Sequence, residues 1–368
     1  MKHFYLCIIA LLSTFGAYCQ EPVWHSGSEF PLYGKINDST LTRYERLPAF
    51  LKGVSREDIW YLGTHSSGLF LRFASNSPSI KARWKVRYNN HMPHMTDVGS
   101  KGMDMYTLLD GKWRYVGSAV PSWDGTTPSE SYILQHGDAK MREYMLYLPL
   151  YDNLESLELG VEQDCIIQPP LQQTALTGNR PVVMYGTSIL QGACASRPGM
   201  AHTNILSRRL DRIVYNLGFS GNAMLDMEIA HLMASVPDPA VFVLDYAPNA
   251  WDYLIDEKGE EFFRIVRDAH PDVPVIFVED VTFPHYIFDS HIREEVDKKN
   301  AAQRRLYEKL RKEGVKQIYY VTSDRLCGSD GEASVEAIHF TDLGMLRYAD
   351  ALCPVIQKAI RRSGKGRR

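Results

Sequence analysis

The chain lacks an excess of charge of either sign. Among its 368 residues, 41 are Lys or Arg and 44 are Asp or Glu, so the formal net charge is only −3. A broad polyanion-binding surface needs a basic excess, and this balance argues against a nucleic-acid-binding protein. The basic C-terminal sequence RRSGKGRR is short, and we interpret it as a solvated chain end.

Long hydrophobic runs are also missing beyond the N-terminus. The run FYLCIIALLSTFGA is too short to span a bilayer comfortably. Ala17 and Cys19 occupy positions −3 and −1 if cleavage falls before Gln20, so we predict a signal peptide over residues 1–19. A lipoprotein interpretation of Cys19 is weaker, because the bulky Tyr18 stands where a small residue is expected. We therefore expect a periplasmic or secreted protein with no integral membrane segment in its mature chain.

Cysteine is scarce, and its spacing resembles no metal-binding motif. Four cysteines in an oxidising compartment could form two disulfides, but we favour small buried residues with at most one bridge. His91 and His94 lie close in sequence without a convincing third ligand, so we predict no metal site. A glycine-rich phosphate loop is missing too, and we expect no cofactor. The cysteines after the predicted signal peptide are Cys165, Cys194, Cys327 and Cys353.

Two halves of the chain differ in their hydrophobic periodicity. Residues 20–175 contain short alternating segments rich in aromatic and β-branched residues, such as LFLRF, IKARWKV and MDMYTLL. No helical stripe is evident there, and we predict an antiparallel, jelly-roll-like β-sandwich. In residues 176–368, compact apolar runs such as VVMYG and AVFVLDY alternate with amphipathic stretches. This alternation predicts an α/β domain with a doubly wound parallel sheet.

Polar residues follow the predicted strands of the second half. Ser188 comes between a strand and a helix, where free backbone N–H groups favour negative charge. Gly221 lies in a tight turn after the next strand, and Asn249 follows the third. His339 precedes the C-terminal helix, three residues after Glu336. Each alone could be a cap, a turn residue or a surface residue, but ligands of such sheets gather at the carboxyl ends of the strands. The ordered set therefore predicts a hydrolytic site.

These motifs resemble the SGNH (GDSL-like) hydrolase superfamily, whose name lists Ser, Gly, Asn and His. The sequences YGTSILQGACASRPGM, NLGFSGNAMLD and HFTDLGM resemble an exported bacterial branch with an N-terminal β-domain. The sequence KGMDMYTLLDGKW is similar to the Gly-x-Asp-Leu-Tyr signature of that domain, with Met105 replacing Leu. Nearly the whole mature chain is covered. The resemblance implies a β-sandwich followed by a flavodoxin-like hydrolase domain.

The resemblance also implies roles for the site residues. Ser188 would be the nucleophile, and His339 would be the general base and acid. The backbone N–H groups of Ser188 and Gly221 and the side chain of Asn249 would form the oxyanion hole. Donors placed in this way stabilise a tetrahedral intermediate of acyl transfer.

Two positions depart from the superfamily pattern. Thr187 stands where the D of GDSL is common, although the narrower branch also resembles Gly-Thr-Ser. The acid three residues before the histidine is usually Asp, whereas here it is Glu336. Glutamate can orient a histidine and stabilise the imidazolium. Asp330 or a backbone carbonyl are the alternatives for holding His339.

Export, the companion β-domain and the superfamily together favour a serine esterase that removes small acyl groups, above all acetyl, from carbohydrate. Trp123 and Trp251 lie in turn-like sequences and are candidates to rim a substrate cleft. A thioesterase or lysophospholipase would use the same residues. A second class, a glycan-binding module with an attenuated hydrolase domain, stays open because Glu336 replaces Asp. The sequence leaves the oligomeric state open.

Overall fold

A computed structural model describes residues 21–171 and 174–365, and the predicted signal peptide lies outside this part of the chain. The first half of the described chain contains two antiparallel sheets. One has the strand order β1-β9-β4-β7, and the other has the order β10-β3-β8-β5-β6, with β2 paired to β3. The strands are β1 Val23–Ser26, β2 Leu32–Tyr33, β3 Phe70–Ser75, β4 Ile80–Val86, β5 Met103–Leu109, β6 Lys112–Ala119, β7 Ser129–Leu134, β8 Arg142–Tyr147, β9 Leu154–Val161 and β10 Ile167–Gln168.

Alternation along these strands builds the core between the two sheets. In β4, Ile80, Ala82, Trp84 and Val86 are buried while the residues between them are more exposed. Successive side chains of a strand point to opposite faces, so one face of β4 meets the other sheet. The predicted antiparallel β-sandwich is confirmed.

Two helices form in this half, although its sequence shows no evident helical stripe. Helix α1 spans Glu57–Thr64, and the short helix α2 spans Asp97–Lys101. Ile59 and Leu62 of α1 pack in one hydrophobic cluster with residues of the second half of the chain. A helix of eight residues is too short to show a clear periodic pattern in the sequence. Tertiary packing supplies most of the stability of such a helix.

The second half forms a five-stranded parallel sheet in the order β12-β11-β13-β14-β15. Each strand is an apolar run covered by helices on both faces, which confirms the doubly wound prediction. Gly186, the last residue of β11, lies in register with the ends of β12 and β13, so the loops that leave these strands start at one edge. The strands are β11 Val182–Gly186, β12 Val214–Gly218, β13 Val241–Asp245, β14 Val275–Val278 and β15 Ile318–Val321.

The helices of this half follow the predicted amphipathic stretches. Within the described residues, no helix combines the length and apolarity needed to cross a bilayer. Cys165, Cys194, Cys327 and Cys353 are all free thiols, so the disulfides that the sequence allowed do not form here. The helices are α3 Ala175–Gly178, α4 Ser188–Gln191, α5 His202–Leu210, α6 Met227–Ala234, α7 Asp252–Ala269, α8 Ser290–Lys312 and α9 Asp342–Lys365.

Buried polar contacts join the two halves. The guanidinium of Arg46 is buried and donates to the carbonyls of Leu62, His65, Asn216 and Gly218 at 2.6 to 3.0 Å. Two of these acceptors belong to the first half and two to β12. Because a buried guanidinium needs acceptors for its donors, this contact fixes the first half against the parallel sheet.

A second contact uses the aspartate of the Gly-x-Asp-Leu-Tyr-like sequence. Asp104 is fully buried and accepts from Arg197 Nη1 at 2.5 Å and from the backbone N–H of Gly199 at 2.7 Å. Tyr106 accepts from the same guanidinium. Burial raises the pKa of Asp104, while Arg197 opposes that shift. Asp104 therefore holds the loop that follows the Ser188 segment.

Candidate active site

Ser188 lies at the first turn of α4, directly after the parallel strand β11. Thr187 caps this turn, and its side chain accepts from the backbone N–H of Ile189 at 3.3 Å. The strand ends at Gly186, where a Cβ atom would lie 2.6 Å from the carbonyl oxygen of Asp245. Only glycine lets the neighbouring strand end approach this closely. The local sequence therefore turns the chain sharply and presents Ser188 at the sheet edge.

Ser188, His339 and Glu336 form one hydrogen-bonded relay. His339 Nε2 lies 2.9 Å from Ser188 Oγ, and His339 Nδ1 lies 2.5 Å from Glu336 Oε1. An Nδ1–H that donates to Glu336 leaves Nε2 free to accept the serine proton. Asp330 instead pairs with both terminal nitrogens of Arg347. Of the acids considered from the sequence, Glu336 is the one that contacts His339.

The turn that carries His339 is held at several points. Glu336 Oε1 also accepts from the backbone N–H of His339 at 3.0 Å. Phe340, the next residue, accepts through its carbonyl from the backbone N–H of Cys194 at 2.9 Å. Thr341 caps α9, since its hydroxyl accepts from the backbone N–H of Gly344 at 3.3 Å. These bonds fix the direction of the imidazole towards α4.

Burial lowers the pKa of His339, and the carboxylate of Glu336 partly opposes that shift. Ser188 is only 7% exposed, whereas the side chain of Glu336 is 38% exposed. Desolvation disfavours the charged imidazolium in the resting site. The lowered pKa of His339 therefore favours the neutral imidazole, which is the form that a general base requires.

Gly221 and Asn249 border the same cleft as Ser188, which has a volume of about 370 Å³. Gly221 adopts a positive φ of 70° in the turn after β12. The side-chain oxygen of Asn249 accepts a long hydrogen bond from the backbone N–H of Ala223 at 3.4 Å. The NH₂ group of the same amide therefore points away from Ala223. The Asn249 NH₂ group and the backbone N–H groups of Gly221 and Ser188 could together bind an oxyanion next to Ser188 Oγ.

The remaining wall of the cleft was not foreseen from the sequence. It combines apolar side chains with charged ones from α8 and from the segment before it. The start of α8 is marked in the sequence by Asp289, which accepts from the N–H groups of His291 and Ile292, but that signal does not indicate which helix face meets the site. The wall residues are Phe283, His285, Ile292, Glu295, Val296, Lys299 and Ile338.

The two candidate tryptophans lie outside this lining. Trp251 immediately precedes α7, and the ammonium group of Lys299 lies 4.9 Å from the centre of its ring. Lys299 itself lines the cleft, so Trp251 adjoins the wall. Trp123 is 97% exposed in the segment between β6 and β7.

One neighbour of the relay comes from the first half of the chain. The ring of His94 lies 5.3 Å from that of His339, centre to centre. Its loop is anchored because Thr96 Oγ1 donates to the carbonyl of Ser196 at 2.5 Å and Met95 is buried in the hydrophobic core of the second half. The β-sandwich therefore borders the candidate site, a relation between domains that the sequence could not provide.

Comparison with known proteins gives a consistent family. The GDSL-like lipase/acylhydrolase family matches residues 179–357. The GxDLY family, the N-terminus of SGNH-hydrolase-type esterases, matches residues 23–167. A candidate GDSL-like lipase from Bacteroides ovatus ATCC 8483 is 35% identical, with 92% of this chain and 98% of that chain covered and a TM-score of 0.87. A comparison with curated proteins found no significant match.

More distant structures share the fold. The salicylyl-acyltransferase SsfX3 from a tetracycline biosynthetic pathway is 17% identical, with 90% of this chain and 95% of that chain covered and a TM-score of 0.71. A family two carbohydrate esterase from Clostridium thermocellum is 12% identical, with coverage of 79% and 92% and a TM-score of 0.54. The two family matches and the 35% identity with the Bacteroides ovatus protein show the family. This chain belongs to the GDSL-like (SGNH-type) esterase and acylhydrolase family and carries the GxDLY N-terminal domain of that family.

Proposed function

We propose that the protein is an exported serine esterase that removes small acyl groups, above all acetyl, from carbohydrate. The observation that supports this best is the relay from Glu336 through His339 to Ser188, which opens on a cleft bordered by Gly221 and Asn249. A nucleophile in contact with a base, which a third group orients, is the arrangement that covalent acyl transfer requires.

The reaction follows from these positions. Ser188 Oγ attacks the ester carbonyl carbon while His339 Nε2 takes the hydroxyl proton. The negative oxygen accepts from the N–H groups of Ser188 and Gly221 and from the Asn249 amide. The alcohol leaves with the proton returned by His339, and an acyl-serine remains. Water, deprotonated by the same imidazole, then releases the carboxylic acid and regenerates Ser188.

Carbohydrate is proposed as the alcohol part of the substrate for three reasons. Two structures with this fold are described as a family two carbohydrate esterase and an acetyl xylan esterase. The chain starts with a predicted signal peptide over residues 1–19, which would deliver residues 20–175 and 176–368 to the periplasm or medium, where glycans are met. The partly exposed side chain of Trp251, which contacts the cleft residue Lys299, is available for sugar stacking.

The first experiment measures hydrolysis of p-nitrophenyl acetate by the mature protein and by Ser188→Ala. We expect turnover by the first and background rates for the second. Ser329→Ala, which changes an exposed serine outside the cleft, is the matched control and should keep wild-type activity. Equal, slow hydrolysis by all three proteins would rule out Ser188 as the nucleophile.

Substrate class is tested next, with acetylated xylo-oligosaccharides, p-nitrophenyl butyrate, an acyl thioester and a lysophospholipid. We expect the highest kcat/KM on the acetylated glycan. A preference for the thioester or the lysophospholipid would assign the same site to those reactions. Glycan binding without labelling of Ser188 by a fluorophosphonate would favour the binding-module alternative, which the replacement of Asp by Glu336 keeps under consideration.

A further inference from the structure

Three side chains with metal-binding atoms converge beside the nucleophile. They are His94, Cys194 and His339, and one nitrogen or sulfur atom of each lies within 4.8 Å of the corresponding atoms of the other two. We propose that these residues bind a borderline-soft divalent cation such as Zn²⁺, and that the bound cation reversibly inhibits the hydrolase.

The ligand types suit that ion. Imidazole nitrogen and cysteine sulfur are the ligands that Zn²⁺ prefers, and three protein ligands with one open position form a common four-coordinate zinc site. Bonds of roughly 2.0 to 2.3 Å put neighbouring ligand atoms of a tetrahedral site about 3.3 to 3.7 Å apart. The three groups need shifts of about 1 Å to reach that spacing, which side-chain rotation can supply.

The backbone holds the three residues together although they come from distant parts of the sequence. Cys194 follows α4 and donates its N–H to the carbonyl of Phe340, the residue after His339. His94 reaches the site from the β-sandwich, on the loop that Thr96 anchors to Ser196. In the sequence, His94 has His91 nearby but no evident third ligand. The fold brings Cys194 and His339 to His94, and His91 is not one of the three residues.

Metal binding at this position exchanges the thiol proton for the cation. The thiol of Cys194 is 6% exposed and lies near the carboxylate of Glu336. When the metal binds, this thiol loses its proton to solvent and the resulting thiolate forms the metal–sulfur bond. The divalent charge replaces the proton next to Glu336, so no uncompensated buried thiolate results.

Inhibition follows from the position of His339. Both of its ring nitrogens are used in the relay, Nε2 towards Ser188 and Nδ1 towards Glu336. A metal bound at Nε2 prevents proton uptake from Ser188, and a metal bound at Nδ1 displaces Glu336. The binding itself does not depend on the proposed esterase function, whereas its inhibitory effect does.

Equilibrium dialysis of the purified protein against Zn²⁺ tests the binding. We expect one Zn²⁺ per chain, with affinity at least tenfold weaker in Cys194→Ala and in His94→Ala. Cys353→Ala, a half-buried thiol on α9, and His91→Ala, an exposed histidine three residues before His94, are the matched controls and should bind like wild type. Wild-type affinity in both Cys194→Ala and His94→Ala would overturn the proposal, and His94→Ala still decides it if Cys194→Ala fails to fold.

Cobalt gives a second readout of the ligands. Co²⁺ bound to the wild type should show near-ultraviolet thiolate-to-cobalt absorption, and this absorption should be missing in Cys194→Ala. In the activity assay, Zn²⁺ should suppress p-nitrophenyl acetate hydrolysis, EDTA should restore it, and Cys194→Ala should need at least tenfold more Zn²⁺ for the same inhibition. An active enzyme with equal zinc sensitivity in wild type and Cys194→Ala contradicts the proposal and leaves the esterase function intact. An inactive protein that binds Zn²⁺ through these residues contradicts only the esterase function.

Discussion

Replacing Glu336 by glutamine gives the sharpest test of the relay. Gln keeps an amide oxygen that can accept from His339 Nδ1, but it removes the negative charge that stabilises the imidazolium during proton transfer. The contact is short, at 2.5 Å between Nδ1 and Oε1, so the two charge centres lie close together. Unit charges about 4 Å apart interact with about 4 kcal/mol at an effective dielectric of 20 and about 1 kcal/mol in water.

Exposure decides between these limits. The side chain of Glu336 is 38% exposed and that of His339 is 22% exposed, so solvent screens much of the attraction. We therefore expect a loss of about 1 to 2 kcal/mol of transition-state stabilisation, which corresponds to a roughly 5- to 30-fold lower kcat. Ser188→Ala should fall much further, to background.

The pH profile separates this effect from general damage. Burial lowers the pKa of His339, and Glu336 partly restores it. Removing the carboxylate lowers that pKa further, and a base with a lower pKa stays unprotonated to lower pH. The acid limb of kcat/KM in Glu336→Gln should therefore move to lower pH while the plateau falls. Misfolding would lower the plateau without that displacement.

The assay is p-nitrophenyl acetate hydrolysis over a pH series, with Glu332→Gln as the control. Glu332 is an exposed glutamate four residues earlier on the same loop, and its replacement should leave both plateau and acid limb unchanged. A Glu336→Gln plateau within twofold of wild type, or an acid limb displaced to higher pH, would refute the assignment of Glu336 as the orienting acid.

Three further predictions concern the buried polar groups. Asp104→Asn keeps an acceptor for Gly199 but loses the charge opposite Arg197, so it should lower the free energy of unfolding by about 3 kcal/mol and make the 196–200 loop more sensitive to proteolysis. Arg46→Met removes the guanidinium hydrogen bonds to the buried carbonyls of Leu62, Asn216 and Gly218 and should cost about 3 kcal/mol, measured by urea unfolding. Burial raises the pKa of Asp245 to about 8, so the folded state keeps a proton that the unfolded state releases above about pH 4. The contribution of Asp245 to the free energy of unfolding therefore falls as pH rises from about 4 to about 8. Asn does not titrate, so the stability of Asp245→Asn relative to wild type should increase over the same pH range.

The controls for these three predictions share one design. Asp110→Asn changes an exposed acid in a turn and should leave unfolding unchanged at every pH. Loss of less than 1 kcal/mol in Asp104→Asn or Arg46→Met would mean that the domains do not depend on these contacts. A stability difference between wild type and Asp245→Asn that stays constant from pH 4 to pH 8 would show that Asp245 is ionised in the folded protein.

The sequence predicted the parts of the fold that have strong local signals. The five strands of the parallel sheet follow compact apolar runs, and β4 follows a clear alternation, because burial on two faces or on one leaves those patterns directly. Helix α1 escaped prediction because its stability comes from contact with the other half of the chain. Its residues Ile59 and Leu62 pack against a core that forms only in the tertiary structure.

The candidate site divides in the same way. Ser188, Gly221 and Asn249 each follow a strand of one parallel sheet, so the topology alone places them at one edge. His339 and Glu336 are three residues apart, which permits their contact but does not require it. The cleft wall from α8 and the neighbouring His94 could not be predicted, because each depends on how one packed element is rotated or docked against another.

Because His94 lies against His339, the β-sandwich contributes a side chain to the surroundings of the candidate site. Arg46 and Asp104 fix this domain through buried bonds to β12 and to the 196–200 loop, and the same docking brings His94 against His339. A buried guanidinium or carboxylate that loses its partner destabilises the fold strongly. These contacts therefore hold the two domains in one relative arrangement. A rigid interface of this kind can hold His94 of one domain against His339 of the other. Loosening that interface, for example by Asp104→Asn, should therefore weaken zinc inhibition at concentrations of denaturant too low to unfold the hydrolase domain.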